Sequence, residues 1–199
     1  MQGVQETPFV ELKHISKSFP GVKVLEDISI PFYRGKVHVL LGENGAGKST
    51  IIKMISGIYQ PDEGEVLIEG KNEHLTNIRQ ARKFGISVIH QELSVIDDLR
   101  VYENVFLGRE LKSGGFVDAA RMIRETKELM EAIEIDIDPK AYIRDLNNGA
   151  KQMVEIVRAV SQNSRMVIMD EPTSSLSDHE VQALFKVMRK LKSENVAII

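Results

Sequence analysis

Cysteine is absent from the 199 residues. Disulfides and thiolate metal sites are therefore excluded, and the usage fits a reducing compartment. Long apolar runs are also missing: none approaches the ~20 residues needed to span a bilayer. The N-terminus, Met1-Gln2-Gly3-Val4-Gln5-Glu6, has neither a basic n-region nor an apolar h-region, so it does not read as a signal peptide. Charge of one sign is lacking too. With 26 Lys and Arg against 29 Asp and Glu the net charge is −3, which gives no general electrostatic attraction to nucleic acid. No internal repeat or low-complexity segment is evident. What remains, 42% apolar and 28% charged residues, is the composition of an ordinary globular protein. The length suits one domain with a substantial core and room for a small appended lobe.

The densest chemical signal is Gly42-Glu43-Asn44-Gly45-Ala46-Gly47-Lys48-Ser49-Thr50. It fits G-x-x-x-x-G-K-[ST] at every fixed position. The apolar run Val37-His38-Val39-Leu40-Leu41 before it reads as a buried strand. Ile51-Ile52-Lys53-Met54-Ile55 after it opens a helical pattern. Glycines let the backbone wrap a phosphate closely, and successive N–H groups at a helix start form an anion nest. Lys48 is placed to reach the β- and γ-phosphates of a nucleoside triphosphate, and the Ser49 hydroxyl to ligate Mg²⁺.

Upstream, Phe9–Ile15 alternates as a half-buried strand, and Pro20-Gly21 marks a turn just after Phe19. Phe19 can be a strand-end aromatic or a platform for a purine base; the residues alone favour the former. Ile28–Phe32 reads as a second strand, with Pro31 favouring a sheet edge. Glu65–Glu69 reads as a third, and together these suggest an antiparallel sheet. Ile86-Ser87-Val88-Ile89 is a further short strand, ending at His90-Gln91-Glu92. The pattern then turns helical to about residue 160. Met122, Ile123, Thr126, Leu129, Met130 and Ile133 recur at helical steps, between breaks at Ser113-Gly114-Gly115 and Asp136–Pro139. A further helix begins near Gln152, with Val154, Val157 and Val160 or Ile156 inward.

The second strong signal is Met166-Val167-Ile168-Met169-Asp170-Glu171, an apolar strand ending in two carboxylates. Unpaired acids near a core are costly. At the C-terminal end of a parallel strand, beside a phosphate loop, they are well placed for metal and water chemistry. Ser177-x-x-Glu180 has capping-box spacing for a last helix with an apolar face of Val181, Leu184, Phe185, Met188 and Leu191. Lys186, Arg189, Lys190 and Lys192 read as a solvated basic face on it. Val196–Ile199 begins another core strand and stops within it, which reads as a fragment of a longer protein.

Phosphate loop, strand ending in Gln91, helical insertion, then Asp170-Glu171-Pro172-Thr173-Ser174 together resemble the ATP-binding cassette of ABC transporters. The wording of His90–Leu93, Glu103–Glu110, Gln152–Ile156 and Ser174–Ser177 is similar to that of the monosaccharide importers of the ribose, galactose, arabinose and xylose type. The resemblance covers essentially the whole chain. It implies an α/β fold: a P-loop NTPase (RecA-like) core with a mainly parallel sheet, an antiparallel β subdomain and a helical subdomain, truncated at the C-terminus. Residues 1–95 and 160–199 would form the core and 96–159 the helical part. In those importers two cassettes are fused in tandem, and this chain is similar to the front part of the first.

Carried over by position, the resemblance implies that Phe19 stacks on adenine, which outweighs its plainer reading. Gln91 would contact Mg²⁺ and the attacking water and couple the site to the membrane subunits. Asp170 would hold the Mg²⁺ shell, and Glu171 would be the general base. The cofactors implied are ATP and Mg²⁺. The partners implied are the second cassette, membrane permease subunits and, indirectly, a sugar-binding protein, with no nucleic acid. The location implied is cytoplasmic, peripheral at the inner face of the cell membrane. Residues 91–110 are the candidate permease-docking face. A soluble ABC-type ATPase acting on ribosomes or DNA is the alternative function.

Two departures stand out. The family signature L-S-G-G-Q reads Leu146-Asn147-Asn148-Gly149-Ala150, without its serine and glutamine. The D-loop S-A-L-D reads Ser174-Ser175-Leu176-Ser177, with Asp178 out of register. An asymmetric pair of sites follows from the first: this chain's signature would serve the partner site poorly, while its own phosphate loop and Glu171 are intact. The family histidine of the following strand has no counterpart within residues 1–199.

Overall fold

The computed structural model describes residues 6–43, 45–90, 93–173 and 176–199. It opens with strands β1 (Val10–Phe19) and β2 (Val22–Phe32), then helix α1 (Lys48–Ile55), β3 (Glu63–Ile68), β4 (Lys71–Asn72) and α2 (Ile78–Lys83). Strand β5 (Ile86–Ile89), helix α3 (Val101–Val105), the short strands β6 (Lys112–Ser113) and β7 (Phe116–Val117), and helices α4 (Ala119–Glu131) and α5 (Asn148–Val160) follow. Strand β8 (Met166–Met169), helix α6 (Asp178–Ser193) and β9 (Ala197–Ile198) complete the order.

The chain forms two compact units. The first comprises Met1–Val88, Arg165–Ile168 and Leu191–Ile199; the second comprises Ile89–Ser164 and Met169–Lys190.

In the first unit an antiparallel sheet has the order β2-β1-β3-β4. Pro31 lies on the edge strand β2, opposite Glu11, where its missing N–H leaves no ladder bond broken. Both neighbours of β1 are irregular near His14. The register slips between Leu12 and Ile15 on the β2 side and between Lys13 and Ser16 on the β3 side. His14 there adopts φ 51°, a bulge that adds twist. The three-stranded sheet, order β5-β8-β9, pairs β8 and β9 in parallel. Helix α1 has only eight residues, too few to persist alone. It is held by burying Ile51, Ile52, Met54 and Ile55, worth about 6–12 kcal/mol at most. They join Phe9, Leu12, Ile15, Phe32, Val66 and Met166 in one core.

One expected strand does not form. Of Val37–Leu41, only Val37 bridges a neighbour, Ile198, in parallel; Val39 is 70% exposed and Leu41 88%. The physical reason is the partner. His38 N–H donates to the Ile198 carbonyl and Ile198 N–H to the Lys36 carbonyl, and no strand among the described residues continues this ladder past His38. Apolar content alone does not make a strand; it needs backbone partners.

In the second unit α3 packs against α4 and α5, and α4 against α5. Met122, Thr126 and Met130 of α4 are buried, as their spacing predicts. Helix α5 is buried nearly all round, including Gln152 and Glu155. The Ser-Gly-Gly break proves to be the turn of the small β6–β7 hairpin. Asn104 is wholly buried: its amide oxygen accepts the Ile96 N–H at 2.7 Å, and its amide nitrogen donates to the Ile96 and Arg100 carbonyls. Among the described residues, no helix is long and apolar enough to cross a membrane.

Candidate functional site

The glycine loop runs directly into a helix, the order its sequence predicts. Gly45 and Gly47 adopt φ 87° and 89°, a region that side chains resist. Ala46 N–H closes a turn onto the Glu43 carbonyl at 3.1 Å. Gly47 then serves as N-cap of α1, and no side chain caps the helix there. Its first N–H groups lack intrahelical acceptors, and a phosphate would satisfy them. Lys48, the first helical residue, donates from Nζ to the Gly42 and Glu43 carbonyls at 2.7 and 2.9 Å. Its ammonium is thereby folded back over the loop. Gly42, Glu43, Gly45, Ala46 and Ser49 are exposed, and Thr50 is half-buried. Asn44 lies outside the described residues, as does Gln91.

The β1–β2 hairpin is seated on this loop. A Cβ on Gly47 would fall 2.5 Å from Leu25 Cδ2 and 3.3 Å from the Val24 carbonyl oxygen. Leu25 pairs with Lys17 across the hairpin, and Phe19, two residues on, closes β1 opposite Val22 at the Pro20-Gly21 turn. Phe19 is half-buried and meets the Tyr59 ring edge-on, with centroids 5.2 Å apart. Lys53 Nζ lies 5.4 Å from the Tyr59 centroid. Nothing in the spacing of Tyr59 advertised this contact. Its only local mark is the turn Gln60-Pro61 that follows it.

Strand β8 is fully buried up to the paired acids. Asp170 is half-buried, and its N–H donates to the Ile89 carbonyl at 3.1 Å. Glu171 is exposed and adopts φ 48°. That conformation is uncommon for a residue with a Cβ, and such backbone clusters at functional sites. Phe19 and residues 42–50 belong to the first unit; Asp170, Glu171 and residues 146–150 belong to the second.

Leu146–Ala150, the candidate signature segment, forms the start of α5. Asn147 is the N-cap of α5, its side-chain oxygen accepting the Ala150 N–H at 2.7 Å, so one good cap has replaced another. Leu146 and Ala150 are half-buried and Asn148 exposed. Gly149 is buried, and a Cβ there would lie 2.4 Å from both carboxylate oxygens of Glu180. That carboxylate is fixed by the predicted capping box. It accepts the Ser177 N–H at 2.8 Å and the Ser177 hydroxyl at 2.7 Å, and Glu180 N–H returns to the hydroxyl at 3.4 Å. Of the D-loop, Ser174 and Ser175 lie outside the described residues.

A second polar joint was not foreseen. Glu155, 2% exposed, accepts the Ser94 N–H at 2.7 Å and the Ser94 hydroxyl, with Arg158 at 3.5 Å. Its place on α5 among Met153, Val154 and Ile156 gave no periodic cue.

An uncapped helix behind a glycine turn, on an α/β core, defines a phosphate-loop nucleotide-binding protein. The chain belongs to the ABC transporter family, whose profile matches residues 25–174. It is 46% identical to the ribose import ATP-binding protein RbsA of Clostridium tetani, over the whole of this chain and 40% of that protein. It is 43% identical to the galactose/methyl galactoside import ATP-binding protein MglA of Clostridium perfringens, over 96% of this chain and 37% of that one. The chain thus spans about two fifths of the length of these curated relatives. Among solved structures it resembles the ADP conformation of an ATP-binding cassette of an ABC transporter. The TM-score is 0.82 at 25% identity, covering 96% of this chain and 79% of that one.

Proposed function

We propose that the chain is the front of the first of two fused cassettes in an ATPase subunit that powers import of a monosaccharide. The solute would cross through a separate membrane permease, with a sugar-binding protein delivering it. The subunit would work at the cytoplasmic face of the membrane without crossing it. The observation that carries this reading is the glycine loop at the uncapped start of α1, with Lys48 folded over it. The names of the relatives, ribose and galactose import proteins, support the cargo class.

The residues present fit a Mg-nucleotide. The loop offers N–H groups and an ammonium to phosphate, and Ser49 offers a hard oxygen donor of the kind Mg²⁺ takes; in this reading Asp170 would supply another. When bound, Mg²⁺ neutralises charge on the β- and γ-phosphate oxygens. Gly42–Thr50 would cradle the phosphates, and Phe19 would stack on the adenine. Glu171 would take the proton of the attacking water, which Gln91 would help to orient. With a loose transition state, these groups work chiefly by position and charge.

The two sites of the tandem protein are unequal in this reading. Leu146–Ala150, without serine and glutamine, serves the second site poorly, whereas the site on this half has its own Lys48 and Glu171. The chain alone binds ATP with little turnover. The deciding experiment is a Mg-ATP titration and turnover assay on this chain, its Lys48→Ala variant and the full tandem protein. Binding lost with Lys48→Ala, and turnover only in the tandem protein, are the expected results. Brisk hydrolysis by this chain alone overturns the composite site. Retained turnover in the tandem protein carrying Glu171→Gln overturns the asymmetry.

A further inference from the structure

Phe19 sits at the tip of the β1–β2 hairpin in the first unit. The β1–β3 ladder ends at the pair Ser16–Glu63, and β1 runs three residues beyond it to Phe19. On that side, among the described residues, the last residues of β1 have no strand to pair with. Asp62, the residue just before β3, takes the place of the missing strand. Its N–H donates to the Ser16 carbonyl at 3.0 Å. Its Oδ2 accepts the Ser18 N–H at 2.7 Å, and its Oδ1 accepts Lys17 Nζ at 2.5 Å. Asp62 thereby holds the three residues that lead into Phe19, Ser16 through its own backbone N–H and Lys17 and Ser18 through its carboxylate.

The same hairpin is fixed to the phosphate loop through Leu25, which packs on Gly47 and pairs with Lys17. Tyr59, three residues before Asp62, meets the edge of the Phe19 ring, and Lys17 Nζ lies 5.8 Å from that ring's centroid. Phosphate loop, platform and clamp thus form one connected set within the first unit. We propose that Asp62 is a positioning residue for the purine base: it fixes the distance and tilt of Phe19 relative to the phosphate loop. This rests on the reading of Phe19 as the base-stacking aromatic.

The chemistry calls for a carboxylate. Two acceptor oxygens receive a cation and a backbone N–H at once, whereas an amide has one oxygen and would turn its NH₂ toward one of these donors. The Lys17 hydrogen bond, with that from Ser18, also holds the Asp62 carboxyl below its usual range.

The test separates base from phosphates. Binding of ATP and of inorganic tripolyphosphate to this chain is measured by calorimetry for the wild type, Phe19→Ala, Asp62→Ala and the double variant. Phe19→Ala should weaken ATP by roughly five- to a hundredfold, the worth of one stacked base, and leave tripolyphosphate unchanged. Asp62→Ala should weaken ATP by about two- to fivefold, in keeping with a half-exposed charged clamp, and also spare tripolyphosphate. It should add nothing once Phe19 is gone. Should Asp62→Ala fail to fold, Asp62→Asn is used, with a loss of ATP affinity between wild type and Phe19→Ala. ATP affinity unchanged on replacing Asp62, or an equal loss for ATP and tripolyphosphate, overturns the positioning role. Unchanged ATP affinity in Phe19→Ala overturns the base-stacking reading on which it rests.

Discussion

Gly64 of β3 tests the backbone frame that carries the platform. It adopts φ 84°, and a Cβ placed on it would fall 2.3 Å from the His14 carbonyl oxygen and 2.5 Å from the Lys13 carbonyl oxygen. These are backbone atoms of the bulge in β1, so no side-chain rotation relieves the overlap. Restoring ordinary contact requires the strands to part by roughly 1 Å. Gly64→Ala therefore carries two costs. The positive φ contributes about 1–2 kcal/mol, and forced overpacking about 1–3 kcal/mol. The reduced freedom of the unfolded chain offsets about 0.4–1 kcal/mol. The net loss is about 1–4.6 kcal/mol, and its midpoint near 3 kcal/mol corresponds to a fall in Tm of about 6–12 °C for a chain of this size. Gly21→Ala is the control. Its φ is 82°, yet a Cβ there would meet nothing within 4 Å, so it should lose only about 1 kcal/mol from conformation. The assay is reversible melting of both variants beside the wild type. Equal falls would refute the clash and leave only the shared φ term.

Other measurements follow from particular contacts. Asn104→Ala strips the Ile96 N–H of its buried acceptor and should cost about 2–4 kcal/mol by denaturant titration. Ser177→Ala removes the capping box of α6 and should cost about 1 kcal/mol by the same titration. The Asp62 carboxyl is held below its usual range by Lys17 first and Ser18 second. Its contribution is fully present above the unfolded value near 3.8 and is lost as pH falls through the depressed folded value. The stability gap between wild type and Asp62→Asn should thus be constant from neutral pH down to about pH 4 and close only below it, in melts across pH.

Where the chemistry is local, the sequence was legible. The glycine loop, the box at Ser177 and Glu180, the acids ending β8 and the apolar face of α4 are each set by residues within a turn or two of one another. Three of the failures share one cause, distance along the chain. Val37–Leu41 has a strand's composition, but whether it pairs depends on Ile198, some 160 residues away. The clamp joins Lys17 to Asp62, and neither residue signals the other in period or motif. Glu155 looks like an error on an apolar helix until Ser94 supplies its donors. The β6–β7 hairpin was hidden for the opposite reason: strands of two residues are too short for alternation to show.

The two departures from the family pattern prove to be one structural unit. Glu180, placed by the box that stands where the D-loop aspartate is lost, fills the space beside Gly149. A side chain at Gly149 would strike that carboxylate, so this glycine has a packing reason to be glycine. Asn147, replacing the signature serine, caps α5 as serine would. The segment keeps a capped helix start, and under the proposed asymmetric reading it would lack the serine and glutamine that face a partner's γ-phosphate. Two substitutions at one position should therefore differ. Asn147→Ala should lower stability by about 1 kcal/mol, while Asn147→Ser should leave it within a few tenths. In the full tandem protein, Asn147→Ser joined to Ala150→Gln should raise ATP turnover by restoring the second site. Lowered stability with unchanged turnover would mean that the departures serve folding, and the asymmetry would lose its structural support.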